Sequence, residues 1–108
     1  MAVSDAQIEM VRDLFAGVGP VTTRKMFGGL GIYADGAIFA ILMPDGAVKL
    51  KGAGEMAATF EAEGWERWTY RRDGSDTVAA MPYWTLPDDL LDDPDAASDW
   101  ARRALDAL

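Results

Sequence analysis

The chain has 108 residues, 50% of them hydrophobic and 26% charged, enough to bury one packed core and outside the polar, highly charged range of disordered chains. It has no cysteine and no histidine, which excludes disulfide frameworks, structural zinc sites, thiolate nucleophiles and every acid–base scheme built on imidazole. The net charge of -8 is uneven: Met1 to Gly54 carries five cations and five acids, whereas from Glu55 onward five arginines face thirteen acids, the wrong sign for nonspecific nucleic-acid binding.

Ser4 followed by Gln7 is a capping-box pattern with Asp5 in the first turn, and Ile8, Val11, Phe15 and Val18 recur at helical spacing, so a helix with one apolar stripe opens the chain. Gly17 and Gly19-Pro20 end it. Val21 to Phe27 is β-branched and apolar around Arg24 and Lys25, only one of which can face the interior of a strand. Gly28 and Gly29 follow as a bulge or tight turn. Gly29, Gly31 and Ala34 match a dinucleotide fingerprint, but that motif must close a strand and open a helix, and here a second strand follows.

Asp35-Gly36 between LGIYA and AIFAILM is a type I′ hairpin signal. Strict alternation in the return strand places Ile38, Ala40 and Leu42 on one face and Phe39, Ile41 and Met43 on the other. With helices on one side only, Tyr33, Phe39 and Ile41 are left as a self-association surface. Pro44-Asp45-Gly46 turns the chain into Val48, Lys49, Leu50 and Lys51, a strand with one wet face.

Glu55 to Glu63 reads as a short helix burying Met56, Ala57 and Phe60, with Gly64 as its stop. Trp65 to Tyr70 and Thr77 to Thr85 form a second hairpin about a turn at Arg71 to Ser75, and Pro82 marks an edge or a break in it. Trp65, Trp68, Tyr70, Tyr83 and Trp84 lie among Arg67, Arg71 and Arg72. The acidity of this half favours core and interface packing over a base-stacking platform. The six aspartates from Asp88 to Asp99 lack calcium-loop spacing, and with Pro87 and Pro94 at first helical positions they read as helix-start residues. Ala97, Trp100, Ala101, Ala104, Leu105 and Leu108 then form the stripe of a closing helix. The order helix, three strands, helix, two strands, helix, with tight turns between strands, specifies an α+β fold of two layers, an antiparallel sheet with helices packed on it. One domain over residues 1–108 is expected. With no apolar run near ~18 residues and no signal-peptide stretch, a soluble cytoplasmic location without membrane contact is expected.

RKMFGGLGIYADGAIFA at Arg24 to Ala40, LK at Leu50-Lys51, MPYW at Met81 to Trp84 and WARRAL at Trp100 to Leu105 resemble the N-terminal domain of the TfoX/Sxy family of competence regulators. The resemblance implies a secretion-chaperone-like α-β-β-β-α-β-β-α fold and a regulatory role in DNA uptake through protein partners, with no catalytic residues. The expected function is therefore a non-enzymatic protein-interaction module without cofactor or metal. It would work with a protein partner such as a transcriptional regulator or as a homodimer, without direct nucleic-acid binding. The alternative is a small-molecule or anion-binding domain in which Arg24, Lys25, Lys49 and Lys51 gather on the sheet beside Gly28 and Gly29.

Overall fold

A computed structural model describes residues 3–26, 28–71, 74 and 78–108. In chain order these form α1 (Asp5–Leu14), a 3-10 turn (Ala16–Val18), β1 (Thr22–Met26), β2 (Gly29–Ala34), β3 (Ala37–Leu42), β4 (Val48–Lys51), α2 (Glu55–Ala62), β5 (Arg67–Arg71), β6 (Val78–Thr85), α3 (Asp88–Leu91) and α4 (Pro94–Asp106). The six strands make one antiparallel sheet in the order β1-β2-β3-β4-β6-β5. The α+β class holds, and the first run of strands has four members rather than three because Thr22–Met26 pairs along its whole length with β2.

Local chemistry explains the element ends. The Ser4 hydroxyl accepts from the Gln7 amide at 3.2 Å while the Gln7 side chain accepts from the Ser4 amide at 2.8 Å, the reciprocal box expected from the sequence. Asp35 and Gly36 have φ of 51° and 80° between the paired Ala34 and Ala37, as a type I′ turn requires. Asp93 caps α4 through the Ala96 amide at 3.2 Å with Pro94 at the first helical position, whereas Pro87 sits one residue before α3, in extended backbone. Pro82 lies beside a register shift between Arg67 and Thr69 in the β5–β6 pairing, and its own carbonyl accepts from the Gly52 amide at 3.0 Å just past the end of β4, so its missing N–H falls where that ladder ends. Most of the expected turn from Arg71 to Ser75, and Phe27 and Thr77 of the expected strands, fall outside the described residues.

One core lies between the sheet and the helices. Val11, Leu14 and Phe15 at the end of α1, Met56 and Phe60 of α2, and Ala97, Ala101 and Ala104 of α4 close on Leu30, Ile32, Ala40, Leu42, Val48, Leu50 and Trp84 of the sheet. The alanines let α4 approach the sheet closely. Phe60 stacks on Trp65 at 4.7 Å and lies 5.7 Å from Trp84 and 5.9 Å from Trp100. Trp65 therefore leaves the strand expected for it and joins α2 in the core. Gly52 passes directly over this aromatic group: a Cβ there would come within 2.8 Å of Trp84 and 3.0 Å of Phe60.

Strict alternation breaks within β3. The register runs Ile32↔Ala40 and then Tyr33↔Ile38, so Phe39 is the extra residue of a bulge. A bulge shifts strand alternation by one. Phe39 accordingly turns into the core, fully buried with its ring 5.3 Å from Phe15 in an edge-on contact, and Ile38 takes the position on the opposite face that alternation assigns to Phe39.

Candidate functional site: the open face of the sheet

The face of the sheet turned away from the helices is built from side chains that alternate with the core residues. Pairing runs Arg24↔Gly31↔Ile41↔Lys49↔Thr85, a continuous row across five strands. Cross-strand partners share a face, and Gly31 and Ile41 neighbour core residues along their strands, so the whole row lies on the open side. A Cβ on Gly31 would meet Tyr33 at 3.0 Å, Ile38 at 3.3 Å and Met26 at 3.4 Å. The bare glycine is what lets those three side chains lie down over β2. Ile41 and Tyr83 are each 8% exposed yet stand outside the core cluster, because they are covered by neighbours on this face rather than by helices. Trp68 meets the Tyr83 ring edge-on at 6.1 Å. Burial pushes the Tyr83 phenol above its ordinary value of 10.0, and the nearby Tyr33 phenol adds to the effect.

The cations on this face are differently held. The Lys49 ammonium donates to the Thr85 hydroxyl at 2.7 Å and is 9% exposed. Arg24 is exposed with its guanidinium 6.0 Å from the Tyr33 ring centroid, and Lys51 pairs across from Tyr83. Among the described residues the one ion pair is Arg102 with Asp99 on α4; Arg24, Lys49 and Lys51 have no carboxylate partner there.

Charge is divided by layer. The six strands contain Arg24, Lys25, Lys49, Lys51, Arg67 and Arg71 and not one acid. The four α-helices contain ten acids against three arginines. A chain of net charge -8 thus presents a sheet of the opposite sign. Both edge strands, β1 and β5, carry two cations each, which discourages edge-to-edge pairing.

Of the residues the sequence grouped as an anion or partner site, Arg24, Lys49 and Lys51 share the open face. Lys25 pairs with the core residue Leu30 and points to the other side. Gly28, with φ of 77°, turns β1 into β2, and Gly29 has no room for a Cβ, which would lie 2.5 Å from the Leu42 carbonyl oxygen. These glycines are hairpin geometry. Three strand spacings, about 14 Å, separate Arg24 from Lys49, so the cations do not converge on one pocket. A recess of about 320 Å³ beside Arg24 is lined by Thr22, Thr23, Tyr33 and Gly36 and by none of the lysines. Among the described residues no group of three acids, histidines or cysteines is placed to hold a metal ion, and no helix is long and apolar enough to cross a membrane.

The sequence also fits a known family over the span that builds both layers. The TfoX N-terminal domain matches residues 13–108. The chain belongs to this family. A relative, the DNA transformation protein TfoX1 of Aliivibrio fischeri, is 35% identical over 69 residues, which make up 64% of this chain and 32% of that protein. This TfoX N-terminal domain therefore corresponds to about a third of the length of the curated relative it matches. The resemblance carried by Arg24 to Ala40 holds at the level of family. Sequence reasoning missed Ile38, hidden by the bulge, and Gly31 as the floor of the face. The absence of acids from every strand was visible once the strands were assigned.

Proposed function

We propose that this TfoX N-terminal domain is a non-enzymatic, cytoplasmic protein-interaction module that acts in the control of DNA transformation and docks its partner protein on the open face of the sheet. The observation that carries the proposal is that face itself: half-buried Met26, Tyr33 and Ile38 and buried Ile41, edged by cations that form no ion pair among the described residues, on strands that contain no acid. Apolar area of this kind rimmed by polar groups is the usual makeup of a protein contact. The transformation context is supported by family membership and by the name of the Aliivibrio relative.

The anion-binding alternative has a narrower base, since the recess at Arg24 brings together one guanidinium and two threonines. A photo-crosslinking amino acid at Ile38, compared with one at exposed Glu9 on α1, tests the docking proposal in cells. Discrete protein adducts from Ile38 alone are expected. Adducts only from Glu9, or none from either, would refute it.

A further inference from the structure

We infer that the occupant of the open face is an acidic amphipathic helix of roughly three to four turns supplied by the partner. The inference rests on the docking reading above and names the partner's chemistry. Along the row Arg24–Gly31–Ile41–Lys49 two cations bracket a position without a side chain and an apolar one. Their separation of about 14 Å is slightly more than the 10–12 Å width of a helix with its side chains. A helix laid over β2 and β3 along the strands would set its apolar stripe on Tyr33, Ile38 and Ile41. Carboxylates on its flanks would then reach Arg24 on one side and Lys49 and Lys51 on the other. Strands of six residues run for about 20 Å, which is roughly thirteen helical residues. Lys49 has used one of its three N–H groups on Thr85, leaving two for a carboxylate.

Charge complementarity selects against the other occupants. Two copies docked face to face about a two-fold axis would bring together two sheets that each carry Arg24, Lys49 and Lys51, with no acid on the strands of either to offset them. The sheet of one copy against the acidic helices of another is complementary in sign but heterologous, and such contacts grow open chains unless the rotation closes. A single nucleic-acid strand needs ring faces presented in a positive groove. Here Tyr33 lies down over Gly31, Trp68 and Tyr83 meet edge-on, and the molecule as a whole is negative.

The test is selection from a phage-displayed library of random 16-residue peptides against the whole chain, followed by fluorescence anisotropy of the enriched peptides as synthetic probes. Enrichment of Asp and Glu around apolar residues at three- and four-residue spacing is expected. Binding should weaken about tenfold or more with Arg24→Glu or Lys51→Glu, both outside the core, and stay unchanged with Arg12→Gln on α1. Circular dichroism and thermal melting establish that each variant is folded. Enriched peptides without acids that still compete at Ile38 would overturn the helix chemistry while leaving the docking face intact. Peptides that bind equally well to all three variants and crosslink only to the helices would overturn both. Concentration-dependent self-association abolished by Arg24→Glu would make a second copy the occupant and overturn the inference. So would a 15-residue oligothymidine that binds more tightly than any peptide.

Discussion

Ser98 is the one buried polar residue of α4, 2% exposed, and its hydroxyl ties two segments together. It accepts from the Gly17 amide at 3.1 Å and donates to the Leu14 carbonyl at 3.1 Å. The Leu14 carbonyl belongs to the last turn of α1, where carbonyls have no helical partner, and the Gly17 amide lies in the 3-10 turn that follows. Ser98→Ala orphans both. An unsatisfied buried group costs about 1–3 kcal/mol. Gly17 is exposed and its amide can recover a water, whereas the Leu14 bond is buried, so a net loss of about 2 kcal/mol is expected. Urea unfolding followed by tryptophan fluorescence reads it directly. With a slope of about 1.5 kcal/mol per molar, the midpoint should fall by roughly 1.3 M. A shift under about 0.3 M would refute the claim that this hydroxyl holds α1 to α4. Gly17 supplies a second arm. A Cβ there would lie 2.8 Å from the Ser98 Cβ and 3.0 Å from its hydroxyl oxygen. Gly17→Ala should therefore be destabilising in the native background, and less so by about 1 kcal/mol when position 98 is glycine. Equal costs in the two backgrounds would show that the contact is slack.

Three further outcomes follow from the geometry. Phe39→Ala should cost about 3–5 kcal/mol and Ile38→Ala about 1 kcal/mol or less in the same urea assay, because the bulge buries the first against Phe15 and leaves the second on the open face; the reverse order would place the bulge elsewhere. Gly52→Ala should be destabilising and should shift the tryptophan emission, since the new methyl must displace Trp84 or Phe60; an unchanged spectrum and midpoint would contradict the packing. The Tyr83 phenol holds its proton more tightly in the folded chain than its ordinary value of 10.0. Its contribution to stability is thus fully present below about pH 10 and is lost as pH rises through the raised value. Tyr83→Phe should flatten that part of the alkaline unfolding curve, and an identical curve for both proteins would refute the assignment.

Much of this molecule is legible from local pattern. The Ser4–Gln7 box, the Asp35-Gly36 turn, the Gly64 stop with φ of 79° and the Asp93–Pro94 helix start are decided by residues within four positions of one another, so a linear reading reaches them. The α+β order and the family resemblance of Arg24 to Ala40 follow from the same kind of information. Composition also excluded imidazole and thiol chemistry outright.

What needed the tertiary structure depends on residues far apart in the chain. The extra residue at Phe39 is set by how β3 must register with β2 while its aromatic ring fills the space beside Phe15, and no periodicity within β3 contains that constraint. The pairing of β4 with β6 aligns Lys49 with Thr85 and completes the row that begins at Arg24. Lys25, adjacent to Arg24 in sequence, is sent to the opposite side by the pleat. A list of cations along the chain therefore became three on an acid-free face and one away from it. The sequence by itself determined which residues are charged, which turns form and which family the chain resembles. Only the packing of helices on one side of the sheet decided that its basic, apolar side would be left open, because burial is a property of layers and not of neighbours along the chain.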